Sequence, residues 1–174
     1  YKGKDTDVVI PNKINGKSVT IIGKFAFYHC EVVKSVEIPN SVTRIEYYAF
    51  NECSNLINMT IPESVTSIEE YAFMDCSNLV NIIIPKAVTN IGNYAFSGCK
   101  SLTSIIIPDK VTNISEGLFC DCSNLKSIFM PEGIQSIDRG AFSGCNSLTS
   151  IIIPNNVTTI GEDAFSHCSN LKSI

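Results

Sequence analysis

Apolar residues along this chain come in short bursts that return at a fixed interval. One burst alternates, as in Leu102-Thr103-Ser104-Ile105-Ile106-Ile107-Pro108, with Leu and two Ile on one side and the residues between them on the other. This period-two pattern predicts a short strand, and the proline that ends it has no N–H to continue a ladder. A second scrap, Val-Thr-x-Ile as in Val65 to Ile68, predicts another short strand. A third segment, such as Tyr71-Ala72-Phe73-Met74-Asp75-Cys76, puts Ala, Phe and Cys where a single helical turn would point them to one side. The phenylalanines Phe27, Phe50, Phe73, Phe96, Phe119, Phe142 and Phe165 are spaced by 23 residues, as are the cysteines from Cys30 to Cys168. The prolines keep the same step from Pro39 to Pro154, while the 28-residue gap after Pro11 accommodates a five-residue turn-like insertion, Lys13 to Lys17. One such unit cannot bury its own apolar residues. Stacked parallel copies can, so the pattern predicts a solenoid with interior ladders of Ile, Val, Phe and Cys.

The unit, written once, is I-P-x-x-V-T-x-I-x-x-x-A-F-x-x-C-x-x-L-x-x-I-x, and about seven copies cover nearly all of residues 1–174 as one array. Blocks such as Ile84-Pro85-Lys86-Ala87-Val88-Thr89-Asn90-Ile91-Gly92-Asn93-Tyr94-Ala95-Phe96-Ser97-Gly98-Cys99 resemble the BspA-like, or Treponema-type, leucine-rich repeats. The resemblance implies a right-handed superhelix with a parallel β-sheet on the concave face and short strands and helical turns elsewhere. It also implies a setting in microbial surface proteins. The commoner leucine-rich pattern carries Asn or Cys after the strand; here that position holds Ser41, Ser64, Ala87, Lys110, Gly133 and Asn156, so the binding modes of that class transfer poorly. Within the array, Leu118 replaces the alanine and Gln135 the threonine. The chain opens at Tyr1 and stops within a repeat, and is expected to be a segment of a longer protein.

Composition narrows the function. Hydrophobic residues make up 44% and charged residues 17%, which suits a packed core. A net charge of -4 without a basic cluster argues against a nucleic-acid surface. No apolar run nears the roughly 18 residues that cross a bilayer, so no membrane insertion of this segment is expected. Seven of the eight cysteines share one repeat position, where parallel side chains point the same way and make poor disulfide partners; they read as a ladder of buried thiols. Cys120 stands outside that ladder, two residues before Cys122, without the further ligands a zinc site needs. His29 and His167 occupy one repeat position six periods apart, too far from each other for shared acid–base work. The carboxylates sit at turn and outer positions. No catalytic residue, metal or cofactor is assigned.

The strand face is the informative surface. Its outward column before the last Ile reads Val9, Glu37, Thr60, Ile83, Ile106, Phe129, Ile152, and the column two residues earlier reads Asp7, Ser35, Asn58, Asn81, Ser104, Ser127, Ser150. The first becomes continuously apolar over its last four rungs; the second stays polar throughout. An apolar centre with a polar rim has the character of a protein-binding surface. The candidate site is therefore Ile83, Ile106, Phe129 and Ile152, flanked by Asn81, Ser104, Ser127 and Ser150. Two other readings of the stripe stand beside this one: β-branched residues are good strand formers, and flanking sequence would cover it. The leading function is a non-enzymatic interaction or adhesion module of a cell-surface or secreted protein. Its expected partner is a protein or peptide, host surface and matrix proteins among them, with self-association a competing use of the stripe. The alternative is a structural spacer without a ligand of its own.

Overall fold

The first feature that orders the chain is a parallel sheet built from one three-residue strand per repeat. The computed structural model describes residues 1 and 3–174. Strands Asp7–Val9, Ser35–Glu37, Asn58–Thr60 and Asn81–Ile83 pair in parallel and in register, as do Ser104–Ile106 and Ser127–Phe129. Each rung then crosses to a two-residue strand at the end of its Val-Thr-x-Ile scrap. These form ladders from Ile21–Ile22 through Asn90–Ile91 and from Asn113–Ile114 through Thr159–Ile160. The insertion folds out as an antiparallel hairpin, Lys13–Ile14 against Lys17–Ser18. Its tip is Asn15-Gly16, both left-handed at φ 51° and 77°, the backbone that a two-residue hairpin turn demands.

The third side of each rung corrects one expectation. The A-F-x-x-C segment is not a helical turn, and no helix forms among the described residues. Two residues per rung adopt positive φ, in the columns Phe25/Tyr48/Tyr71/Tyr94/Gly117/Gly140/Asp163 and His29/Glu52/Asp75/Gly98/Asp121/Gly144/His167. Left-handed residues at this spacing break any helix and give a string of β-turns. The backbone N–H groups then alternate in destination. Those of Ala49, Asn51 and Cys53 bond three residues back, to Glu46, Tyr48 and Phe50, while those of Tyr48, Phe50 and Glu52 donate forward to Glu70, Ala72 and Met74 of the next rung. The turn side is thus a hydrogen-bonded ladder in its own right.

The core fills the space between these three sides. Val, Ile, Ala, Phe, Cys and Leu of each interior column are buried, and Phe50, Phe73, Phe96, Phe119 and Phe142 have no exposed surface. The Phe rings stack along the axis, with centroids 5.0 Å apart for Phe27–Phe50 and 5.3 Å for Phe50–Phe73. The thiol ladder is present: all eight cysteines are free, and Cys53, Cys76, Cys99 and Cys122 each donate to the carbonyl of the Phe 26 residues earlier at 3.0–3.3 Å. Burial pushes the Cys76, Cys99, Cys122 and Cys145 thiols up, away from the reactive thiolate. At the N-terminal end, Tyr1 stacks on Phe27 at 5.4 Å and covers the first ring of the ladder.

The Val-Thr-x-Ile side of the stack is regular at every level but one. From rung to rung the N–H groups of Thr43, Thr66, Thr89, Gln135 and Thr158 donate to the equivalent residue of the rung before, and those of Glu46, Glu69, Gly92, Asp138 and Gly161 do the same to an Ile carbonyl. Thr112 and Ser115 make neither bond, and only the Ser115 hydroxyl reaches Ile91 O, at 2.5 Å. Both β-ladders stop here, between Asn81–Ile83 and Ser104–Ile106 on one side and between Asn90–Ile91 and Asn113–Ile114 on the other. The Phe96–Phe119 centroids are 6.1 Å apart, against 5.4 Å for Phe73–Phe96 and 5.6 Å for Phe119–Phe142. The turn ladder alone continues unbroken, through Tyr94, Phe96 and Gly98. Leu118, fully buried in a column otherwise made of alanine, sits at this step.

Candidate functional site

On the concave sheet the pleat buries Leu102, Ile105 and Ile107 and turns the residues between them outward, as the alternation requires. Ile83, Ile106, Phe129 and Ile152 are 74%, 68%, 59% and 86% exposed. Register pairs Ile106 with Phe129 and, in the neighbouring ladder, Thr60 with Ile83, while no ladder pairing joins Ile83 to Ile106 or Phe129 to Ile152. The polar column lies two residues away on each strand: Asn81, Ser104, Ser127 and Ser150 are all exposed beside it. At Ser150 the ladder is reduced to a single bridge with Ser173.

Besides a hollow beside Ser150, Ile152 and Ser173, two depressions occupy this face. One, about 550 Å³, is lined by Ser35, Glu37, Asn58, Thr60, Asn81 and Ile83 among others. The second, about 500 Å³, lies at the interrupted step and is lined by Ile83, Ile84, Ile106, Ile107, Asn81 and Ser104, with Glu63, Lys86 and Asp109 at its rim. Ile83 and Asn81 belong to both, so the two depressions meet at the strand Asn81–Ile83. Near the polar end, Ser35 and Thr6 donate hydrogen bonds to the Asp7 carboxylate, which lowers its pKa from the usual value.

A second surface, half-buried at its tyrosines, follows the 23-residue period without having been singled out from the sequence. Phe25, Tyr48, Tyr71 and Tyr94 stack in a ridge on the turn side, with centroids 5.2, 4.7 and 5.4 Å apart. Tyr47 packs edge-on against Tyr48, at 4.3 Å and 88°. Desolvation and the neighbouring Tyr47 push the Tyr48 phenol up to about 12. Tyr94 donates to Glu116 at 2.9 Å, and its ring lies over Gly117, which leaves no room there for a Cβ and ends the ridge. These residues occupy one left-handed column 23 positions apart, which was the available signal.

Among the described residues, the titratable groups form no chemical constellation. The His29 ring nitrogen Nδ1 sits 2.8 Å from the Glu52 carboxylate one rung on, in an exposed pair. His167 is exposed at the far end of the same column. Among the described residues, no group of three or more His, Cys, Asp or Glu is placed to hold a metal ion. Among the described residues, no helix is long and apolar enough to cross a membrane.

Comparison with known proteins places this geometry in context. A family model described as the BspA type leucine rich repeat region matches in six copies, over residues 6–125 and 89–174. A Treponema pallidum leucine rich repeat protein of known structure is 34% identical, with a TM-score of 0.94 over 99% of this chain and 80% of its own. A leucine-rich repeat protein from Bacteroides ovatus is 35% identical, with a TM-score of 0.92 over 96% of this chain and 44% of that one. A leucine rich cell surface protein from Faecalibacterium prausnitzii is 36% identical, with a TM-score of 0.91 over 99% of this chain and 48% of that one. The chain therefore spans less than half the length of the last two. None of the curated proteins matches it.

Proposed function

Because this chain belongs to the BspA-type leucine-rich repeat family, we propose that it is a non-catalytic interaction module of a microbial surface protein that binds a protein partner on its concave sheet. One observation carries the reading: four bulky apolar side chains, Ile83, Ile106, Phe129 and Ile152, stand exposed in a single column beside a polar one. Together they present roughly the few hundred Å² that the largest apolar patch of a soluble protein reaches, and such patches are often functional. Strand propensity does not require the column to be apolar, because the same backbone setting holds Glu37. The polar column beside it supplies the hydrogen-bonding rim that interfaces carry. The surface setting draws its support from the family and from the leucine rich cell surface protein of F. prausnitzii.

The test presents purified extracellular-matrix proteins to the immobilised chain and to an Ile83→Ser/Ile106→Ser/Ile152→Ser variant whose circular dichroism is unchanged. A partner held by the first and released by the second supports the concave site. Equal retention by both moves binding elsewhere, and no specific retention favours a spacer role.

A further inference from the structure

The interruption between the fourth and fifth rungs changes what the concave face offers. Every other level of the Val-Thr-x-Ile ladder is bonded, whereas here Thr112 and Ser115 withdraw their N–H groups from Thr89 and Ile91. On the concave side the N–H groups of Ile57, Val80 and Lys126 each donate to the rung before, and that of Thr103 does not. The concave ladder also stops between Ser127–Phe129 and Thr149, but there the second ladder is intact and the Phe119–Phe142 and Phe142–Phe165 spacings are ordinary, 5.6 and 5.4 Å. Only one level opens on both β sides while remaining closed on the turn side. That is the shape of a wedge-opened step hinged at the turns.

We propose that this step is an anchoring cleft for an extended peptide segment of the partner, which seats one bulky apolar side chain between Ile83 and Ile106 with a Lys or Arg beside it, and that Leu118 is the positioning residue that keeps the cleft open. The proposal rests on the concave-face reading above and names the chemistry of its partner. Leu118 brings three carbons more than the alanines of the equivalent positions Ala95 and Ala141, all of them buried. In a close-packed stack that extra volume separates the rungs on either side. The separation coincides with the depression of about 500 Å³ lined by Ile83, Ile106 and Ile107. A cavity of that size falls in the range, roughly 300–1,000 Å³, that encloses small ligands. Glu63, Lys86 and Asp109 at the rim join none of the chain's ion pairs among the described residues. Two carboxylates against one ammonium leave a negative rim, which selects a cation next to the apolar anchor. The unpaired edge at Thr103 favours an occupant in extended conformation, because strand edges recruit main-chain partners.

The experiment selects random peptides displayed on phage against the intact chain and measures the affinity of the enriched peptides for variants. Enriched sequences are expected to place an aliphatic or aromatic residue next to Lys or Arg. Leu118→Ala should weaken them by about tenfold or more, and by more than Phe129→Ser/Ile152→Ser does, while Tyr28→Ser on the turn side changes affinity by less than about twofold. Glu63→Gln/Asp109→Asn leaves the core untouched and should abolish the preference for the cation, so the proposal stays testable if Leu118→Ala does not fold. Peptides that depend on Phe129 and Ile152 but ignore Leu118 and the two carboxylates overturn the cleft and leave the concave-face reading standing. Binding indifferent to all four apolar residues, or no enrichment at all, overturns the cleft as well, and indifference at all four sinks the concave-face reading with it.

Discussion

Truncating Leu118 to alanine tests whether this residue holds two rungs apart, and the expected magnitude differs from that of an ordinary core leucine. Leu118 and Leu125 are both fully buried. Removing three carbons forfeits about 0.8 kcal/mol each, roughly 2.4 kcal/mol of transfer free energy. Where the surroundings stay rigid, a cavity term brings the loss to roughly 2–5 kcal/mol. Leu125 belongs to the regular Leu ladder, so Leu125→Ala should show that full loss. At position 118 alanine is what rungs 4 and 6 already carry, as Ala95 and Ala141. The step can then close, which removes the cavity term and restores the bonds from Thr112 N–H to Thr89 and from Ser115 N–H to Ile91. Each restored bond contributes roughly 0.5–1.5 kcal/mol. The net cost of Leu118→Ala should be about 1 kcal/mol, less than half that of Leu125→Ala. Guanidinium unfolding followed by far-ultraviolet circular dichroism measures both, and amide exchange of Thr112 and Ser115 should slow in the Leu118 variant. Equal losses for the two substitutions, with no new protection at Thr112 and Ser115, would refute the wedge.

Two further outcomes follow from the thiols and from one carboxylate. Iodoacetamide acting on the native chain should label Cys120 and Cys168, which are partly exposed, before Cys76, Cys99, Cys122 and Cys145, which react only after unfolding. Peptide mass spectrometry reads the order, and a fully buried ladder thiol reacting as fast as Cys120 contradicts it. Asp75 has its carboxyl pKa raised, first by desolvation and then by the charge of Glu52. A raised folded pKa means stability that is present below the unfolded value and is lost as pH rises through the folded one. Asp75→Asn should therefore raise the melting temperature at pH 7 and lose that advantage below about pH 3, where both forms are neutral. Asn also tolerates the left-handed backbone at this position, φ 57°. A lower melting temperature at pH 7 would show that the charged form is the favoured one.

The 23-residue step carries most of the architecture, because a repeat that cannot bury its own apolar residues has stacking as its remaining course. The inward and outward columns of the concave strands were legible from Leu102, Ile105 and Ile107 alone, since alternation in a strand leaves no other assignment. The turn side was not. Ala, Phe and Cys at offsets of one and four suit a helix equally well, and what excludes it is a backbone preference hidden by the mixture of residues in two columns. Gly98 and Gly144 share a column with Asp75, Asp121 and His29, types over-represented among left-handed residues, but Tyr48, Tyr71 and Tyr94 obscure the other one. The apolar column of the site could be named residue by residue, whereas the step beneath it could not. Leu118 reads as a conservative change until the stack shows how little room an alanine position leaves.

The forward-pointing bonds of the turn side have an electrical consequence. The peptide unit whose carbonyl accepts from the rung before is the same unit whose N–H donates to the rung after: Phe27 to Ala49, Phe50 to Ala72, Phe73 to Ala95, Phe96 to Leu118, Phe119 to Ala141 and Phe142 to Ala164. Two sister chains run beside it, through Tyr48 and Glu52. Amide dipoles joined head to tail in this way add and polarise one another, as they do along a helix. The turn side therefore carries an axial field although the molecule contains no helix among its described residues. Its carbonyl end is the N-terminal one, and there the ammonium of Tyr1 meets the Ala26 oxygen at 2.5 Å, a positive charge at the negative pole.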